Sequence, residues 1–428
     1  MKILVVGGGG REHAIIKKLL ESKGVEKIYA APGNGGIGCD AECVDIKATD
    51  VDGVVAFSKS NAIDYVVVAP DDPLVLGMVD ALEQAGIPAF GPSGAAAEIE
   101  GSKAFSKDLM KRYGIPTADY EVFESSEKAI EYVKAKNEYP VVVKADGLAL
   151  GKGVLICEDE KSAVEAIEDI LDGGKFGASG SRVVIEEFLT GNEVSVLSFT
   201  DGKTIVPMVS SMDHKRAHDG DTGLNTGGMG TVAPNPYYAE TIAKECMETI
   251  FLPTLRAMNA EGRTFKGCLY FGLMLTEKGA KVIEYNCRFG DPETQVVLPL
   301  LEGDLLEIMQ ATTNGTLDKV KVSFSGGSAA CVIIASGGYP EKYEKGKRLY
   351  GLNEKGGSDK ADVTVYHAGT KRKNGELVTS GGRVLGVTAT AEDLEAALKK
   401  AYSAAKEIGF DGSFMRNDIG QRALRALK

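Results

Sequence analysis

Near its start the chain carries three short apolar runs, "KILVV", "KIYAA" and "DYVVVAP", with stretches of helical periodicity around residues 12–22, 50–60 and 74–85 between and after them. Apolar runs of this length are strands buried on both faces, and strands alternating with helices pair in parallel through crossovers. The chain is therefore expected to open as an α/β domain with a doubly wound, Rossmann-like parallel sheet. At 428 residues it is too long for one core, so further domains must follow.

From Ser102 a helix, "SKAFSKDLMKRYG", leads through "GIPTADY" into a second unit. That unit holds the strand "YPVVVKA", a glycine loop, the helical run "SAVEAIEDILDGG" and the strand "RVVIEEFL". A third unit spans about 191–315. The strands "SAACVIIAS", "ADVTVYHAG" and "GRVLGVTA" with the helix "AEDLEAALKKAYSAAKEIG" read as a small C-terminal α/β domain.

Composition narrows the partners. The balance of 49 basic against 61 acidic residues gives −12, a poor match to nucleic acid or an anionic membrane. The apolar run of "MKILVVGGGGREH" is too short for a signal-peptide core or a membrane span, so a cytoplasmic protein is expected. Seven cysteines without C-x-x-C pairs are expected to be reduced core thiols. The 53 glycines suggest several loops in which backbone meets ligand.

Four stretches carry chemistry. Residues 7–10, all glycine, follow a strand and enter a helix, a geometry that aims N–H groups at an anion or simply makes a tight turn. Glu12 stands where a dinucleotide fingerprint needs glycine, and the second strand ends in "APGN" without an acid for a ribose, which argues against nicotinamide binding. In "KADGLALGKGV", Lys144 ends a strand beside Gly147, Gly151 and Gly153; the spacing is not that of a Walker loop, but a point charge beside backbone donors suits di- or triphosphate oxygens. "VVIEEFLTGNEVSV" places Glu186 and Glu187 at a strand end and Glu193 after a turn, either as surface acids or as a frame for adenine and ribose.

In "VIEYNCRFGDPE" strict alternation puts Val282, Glu284, Asn286 and Arg288 on one face and Ile283, Tyr285, Cys287 and Phe289 on the other. An acid, an amide and a guanidinium in a row serve either a solvated surface or a charged ligand. "SMDHKRAHDGDTGLNTGGMG" has no apolar period and the form of an active-site loop; His214 and His218 lie in it without a third zinc ligand, and His367 is read as structural.

The order of these parts resembles the ATP-grasp superfamily. In detail, "GGGGREHA", "APGN", "GPSGAAAEIEGSKAFSK", "KADGLALGKGV", "VIEEFL", "DHKRAHDGDTGLNTGGMG", "NCRFGDPETQ" and "GGRVLGVTA" resemble the glycinamide ribonucleotide synthetase (phosphoribosylamine–glycine ligase) family from Met1 to about Gly420. The resemblance implies an N-terminal domain over 1–102, an ATP-grasp domain over 103–315 with a mobile lid at about 120–189, and a C-terminal domain over 316–428. It implies ATP-dependent joining of glycine to 5-phosphoribosylamine through a glycyl phosphate, in purine synthesis. Mg²⁺ or Mn²⁺ would be held by Glu284 and Asn286 with phosphate oxygens and water.

By the same resemblance Lys103 and Lys144 meet ATP phosphates, Glu186, Glu187, Phe188 and Leu189 frame the adenine, and Glu193 takes the ribose. Gly9, Gly10, Arg11, Glu12 and Asn34 would hold phosphoribosylamine. Asp213 and Lys215 would close over the acyl phosphate, with Asp291 on the substrate and Arg288 on either the glycine carboxylate or the transferring phosphoryl group. Two positions depart from the family's usual pattern: Gly8, where Asn or Ser is usual, and Asp71, where Glu is usual. Transient contact with the enzyme that makes phosphoribosylamine is a further implication. The rival readings are a related carboxylate–amine ligase with another substrate, a nicotinamide oxidoreductase and a non-catalytic ATP sensor.

Overall fold

The computed structural model describes residues 1–148, 153–174 and 176–428. Five parallel strands open it, in the order Glu42–Cys43, Lys27–Pro32, Lys2–Gly7, Tyr65–Val68 and Ala89–Phe90. The period-two pattern sorts their side chains: Ile3 and Val5 share a core with Ile15, Ile16 and Leu19, while Leu4 and Val6 share another with Val54, Leu74 and Leu82. The order reverses around the strand Lys2–Gly7, which places residues 8–10 in the crevice at its carboxyl end. The expected third helix is two, Asp71–Val75 and Met78–Gln84, because Gly77 adopts a left-handed φ of 79° between them.

The helix Lys103–Tyr113 starts where Ser102 accepts from the Phe105 N–H at 3.1 Å and stops at Gly114, φ 65°. It leads to a four-stranded antiparallel sheet in the order Tyr120–Phe123, Val183–Glu187, Val141–Ala145, Val154–Cys157. Helices Ser126–Lys136 and Glu160–Leu171 cover it, and Ala129, Val133, Val143, Ile167 and Ile185 form a small core of its own. Gly151 lies outside the described residues.

A second antiparallel sheet runs Ile205–Pro207, Asn192–Thr200, Gly267–Thr276, Gly279–Asn286. Its last strand corrects the expected alternation. Val282 pairs with Leu273 and Glu284 with Gly272, so Ile283 is an extra residue and the strand bulges. Val282 turns into the core that holds Tyr285 and Cys287, and only Glu284 and Asn286 remain of the polar row on the strand. Phe289, past the strand, packs in a different core.

The fourth large sheet joins segments far apart in sequence. Met212–Asp213 pairs with Gly230–Ala233, which pairs with Ser328–Ser336, and that strand pairs with Arg383–Ala391 and so with Val363–His367. The long polar loop therefore starts and ends in the C-terminal sheet, across the expected division at residue 315. Among the described residues no helix is long and apolar enough to cross a membrane. The cysteine expectation holds for Cys157, Cys246, Cys268, Cys287 and Cys331, which are buried; Cys39 and Cys43 are exposed, because they sit on a short turn and a two-residue edge strand.

Candidate active site

Lys144 points from the strand Val141–Ala145 at Glu186 on the neighbouring strand, Nζ to Oε1 2.9 Å, and its Nζ also donates to Ile283 O at 3.4 Å. The other oxygen of Glu186 meets Lys107 Nζ at 2.9 Å. Glu186 is 4% exposed and its carboxylate is shared by two lysines, so any contact with adenine falls to its backbone. Burial, only partly offset by Glu186, lowers Lys107 to about 8. The sequence reading missed Lys107, although its spacing of four from Lys103 puts both on one stretch of helix surface.

Lys103 donates to Gly147 O at 2.9 Å, and Ala145 N donates to Gly153 O at 2.8 Å, so both described glycines of the hairpin border the lysine pair. Burial holds Lys103 below the usual lysine range, while Glu284 and Asp146 oppose that shift. Past the strand Val183–Glu187, Phe188 and Leu189 leave the sheet with backbone groups that find no partner among the described residues, the donors and acceptors an adenine edge needs. Glu187 itself is exposed, 3.3 Å from Lys281 Nζ.

Opposite lie Glu193 and the polar loop. Lys215 Nζ sits 2.7 Å from Glu193 Oε2. Burial works against the charge of Lys215, but Glu193, Asp213 and Glu284 outweigh it and raise its pKa well above the usual value. Lys215 in turn holds Glu193 below the ordinary carboxylate range. Asp213 goes the other way, raised by burial and by its neighbours Glu193 and Glu284.

Glu284 and Asn286 stand between these two walls. Neither side chain has a hydrogen-bond or ion-pair partner among the described residues, yet Asn286 is 9% exposed and Glu284 is within electrostatic reach of Lys103, Asp213 and Lys215. Two partly buried, unpartnered oxygen donors beside lysines that would hold phosphates fit a hard divalent cation whose remaining ligands come from phosphate and water. No group of three or more His, Cys, Asp or Glu gathers into a metal site among the described residues, and a site completed by the nucleotide needs none.

Arg288, past the end of the strand, is drawn to the N-terminal layer: Nη2 lies 2.9 Å from Glu100 Oε1 and 3.8 Å from Asp71 Oδ2. Its Nε is buried without a partner among the described residues, a donor left for a ligand. Glu100, also missed in the sequence, accepts the Cys287 N–H at 2.7 Å as well. Nearby, Glu293 is pushed up to about 7 by burial and by Asp213, and Tyr270 donates to it at 3.3 Å.

A cavity of about 370 Å³ adjoins this cluster, bounded by Gly8, Gly9, Gly33 and Asn34 on one side and by Gly369, Thr370, Ser380 and Arg383 on the other, with Asp291 between. Glu12 does not face it as a free acid. Its carboxylate accepts from Gly9 N at 2.5 Å and from Arg11 Nε at 2.6 Å, which holds the glycine turn, and Arg11 also donates to Phe289 O at 3.1 Å. Asn34 is likewise spent on backbone: it donates to Gly8 O and His367 O and accepts from Gly36 and Ile37. Both shape the cavity wall. A Cβ on Gly8 would lie 2.3 Å from the backbone oxygen of Gly33, so the turn as it stands requires glycine there, whereas a Cβ on Gly10 would meet only the end of the Gln295 side chain, at 2.5 Å. Asp291 accepts from Gln295 at 2.6 Å and faces Arg383 Nη2 at 3.2 Å; burial raises its pKa, but the charges of Arg383 and Arg11 with the Gln295 hydrogen bond outweigh that and hold it below the usual range. His367 is structural as expected, bonded to Gly356 O and Thr370.

A glycine hairpin above two strand and helix lysines, an acid and amide on a facing sheet, and a parallel domain at the mouth together define an ATP-grasp ligase. The comparisons agree. Profiles of the phosphoribosylglycinamide synthetase N domain, ATP-grasp (A) domain and C domain match residues 1–100, 101–294 and 329–422. The chain is 49% identical over 429 residues to phosphoribosylamine–glycine ligase of Rhodopirellula baltica, covering 99% of this chain and 98% of that one. The crystal structure of phosphoribosylamine–glycine ligase from Thermotoga maritima superposes with a TM-score of 0.85 at 34% identity, covering 98% and 100% of the two chains. Biotin carboxylase from Campylobacter jejuni shares the fold alone, TM-score 0.75 at 16% identity over 97% of this chain and 92% of that one. The chain belongs to the phosphoribosylglycinamide synthetase family.

Proposed function

We propose that this enzyme joins glycine to 5-phosphoribosylamine at the expense of ATP, giving glycinamide ribonucleotide, ADP and phosphate in purine synthesis. The observation that carries the reading is the unpartnered pair Glu284 and Asn286, set between the lysines under the glycine hairpin and the loop that bears Asp213 and Lys215. A glycine carboxylate oxygen attacks the γ-phosphorus and ADP departs; the amine nitrogen then attacks the acyl carbon and phosphate departs.

Lys103 and Lys144 neutralise the ATP oxygens, with Gly147, Gly151 and Gly153 as backbone donors. Adenine lies against the backbone of Glu186, Glu187, Phe188 and Leu189, and Glu193 accepts from the ribose. Glu284 and Asn286 would hold Mg²⁺, which when bound screens phosphate charge and aligns the transferring group; Mn²⁺ suits the same oxygen donors. Arg288 orients the glycine carboxylate or the phosphoryl group. Phosphoribosylamine occupies the cavity at Gly9 and Gly10, whose walls Arg11, Glu12 and Asn34 fix, beside Asp291. Asp213 and Lys215 close over the acyl phosphate. Alignment and charge neutralisation supply most of the rate, so no general base is assigned.

The domain divisions at 102 and 315 and movement of the 120–189 unit belong to this proposal, as do a cytoplasmic setting and transient contact with the producer of the unstable amine. The separate core of the 120–189 unit supports independent movement. ADP release measured with glycine and freshly generated phosphoribosylamine, each omitted in turn, tests the substrates. Full-rate release with another amino acid or another amine rejects them.

A further inference from the structure

Asp213 and Lys215 flank a residue that is itself tethered. His214, 6% exposed, donates from Nδ1 to Gly230 O at 3.3 Å and accepts at Nε2 from Gly420 N at 3.1 Å. Because Nε2 accepts a backbone N–H, the proton of the neutral ring is on Nδ1. The near end of the polar loop is thus pinned between its own returning strand and the C-terminal segment.

The same segment grips the rest of the loop. Arg416, 1% exposed, donates from Nη1 to Arg216 O at 3.1 Å and to Asp221 at 2.8 Å, and forks onto Asp418 through Nε at 2.7 Å and Nη2 at 2.8 Å. Asp418 also accepts from Gly220 N at 2.9 Å, and Asn417 donates to Asp219 through its backbone at 2.7 Å and its amide at 3.0 Å. Every one of these contacts bridges about 200 residues of sequence or completes one that does. A buried ion network is seldom more stabilising than apolar packing of equal volume, but it fixes orientation.

We propose that residues 416–420 position Asp213 and Lys215 for transfer, with Arg416 and Asn417 as positioning residues that keep the loop closed against water while the acyl phosphate awaits the amine. This rests on the reading that Asp213 and Lys215 close over that intermediate. The carbonyl carbon of a glycyl phosphate is open to water as well as to the amine, and hydrolysis releases glycine and phosphate. A loosened loop therefore makes ADP without ligated product.

The test measures ADP and ligated product in the same reaction, with ATP, glycine and freshly generated phosphoribosylamine, for the full-length enzyme and for Arg416→Gln, Arg416→Lys, Asp219→Ala and Lys215→Met. The parent is expected to form both in equal amounts. Arg416→Gln should lose tenfold or more in kcat, on the order expected for a displacement of about 1 Å at reacting groups, with KM for ATP unchanged. Its ADP should exceed product by about twofold or more. Asp219→Ala, a surface change, should shift the ratio the same way by less, and Arg416→Lys should recover part of the coupling. A purely structural role lowers both products alike, so equal ADP and product in Arg416→Gln and Asp219→Ala overturns the proposal; if Arg416→Gln fails to fold, Asp219→Ala decides. Full coupling at the parent rate in Lys215→Met removes the premise instead.

Discussion

Arg288 and Glu100 meet at 2.9 Å across the boundary between the parallel domain and the facing sheet, and the other oxygen of Glu100 takes the N–H of Cys287. One buried acid thus fixes both the backbone and the guanidinium at the end of the strand that carries Glu284 and Asn286.

Glu100→Gln is expected to turn that brace into a misfit, because an amide can accept from one of these donors only by presenting its own N–H₂ to the other. Turnover should fall roughly tenfold through misplacement of Arg288, while stability falls by about 1–3 kcal/mol. Steady-state kinetics and urea melts on the same preparation check both. Unchanged kcat would mean that Arg288 needs no support from the N-terminal layer.

Glu284→Gln separates chemistry from folding. With no partner among the described residues, the Glu284 carboxylate contributes no ion pair to the fold, so the melting temperature should stay within a degree or two. Loss of a charged metal ligand should cost about 3 kcal/mol in the transition state, roughly a hundredfold in rate, with a raised Mg²⁺ requirement. Parent-like turnover at limiting Mg²⁺ removes Glu284 from the site.

His214 carries a pH signature. Burial and the Arg416 charge lower it to about 4, against 6.5 when unfolded, so below pH 6.5 the unfolded chain binds the proton and the folded one resists it. Its contribution to stability is complete above pH 6.5 and is lost as pH falls toward 4. Between pH 7 and pH 5 this loss is about 2 kcal/mol. Glu293 acts in the opposite sense, since a carboxyl raised to about 7 favours the folded state as pH falls, so the test is a difference. His214→Gln, which can still accept from Gly420, should narrow the gap in unfolding free energy between pH 7 and pH 5 by that amount. An equal gap in both proteins rejects a buried neutral imidazole.

Glycine loops after strands, and lysines that end strands, are legible because backbone geometry demands those residue types at those places. Gly147, Lys144, Glu284 and Asn286 of the proposed site are legible that way or by the order of motifs. Alternation failed at Ile283, since one extra residue in a bulge shifts Val282 into the core without leaving a mark in the residue types. Glu100 and Lys107 were missed for another reason: each is a charge on the buried face of its helix, in line with Ala96 and Ala97 or with Ala104 and Met110. A charged residue where periodicity calls for an apolar one was the available signal, and it names no partner. Arg383 and residues 416–420 could not be placed from sequence, because their contacts to Asp291 and to the polar loop depend on which strands share the C-terminal sheet.

Lys107 and Lys144 divide one carboxylate, and this division sets the last expectation. Removing Lys107 alone, as Lys107→Met, leaves Glu186 buried with a single counter-ion and should destabilise the protein by about 3 kcal/mol. It should also weaken ATP binding, because Lys144 must then neutralise Glu186 unaided and has less charge to offer phosphate. Glu186→Gln leaves two lysines without their anion and is expected to destabilise by a similar amount. The double change Lys107→Met with Glu186→Gln removes one charge of each sign and should recover most of the stability while freeing Lys144 toward the nucleotide. A double-mutant cycle in urea reports the first effect and titration with a non-hydrolysable ATP analogue the second. Additive losses in the cycle would show that Lys107 and Glu186 do not act on one another, and unchanged nucleotide affinity in Lys107→Met would show that Glu186 does not govern Lys144.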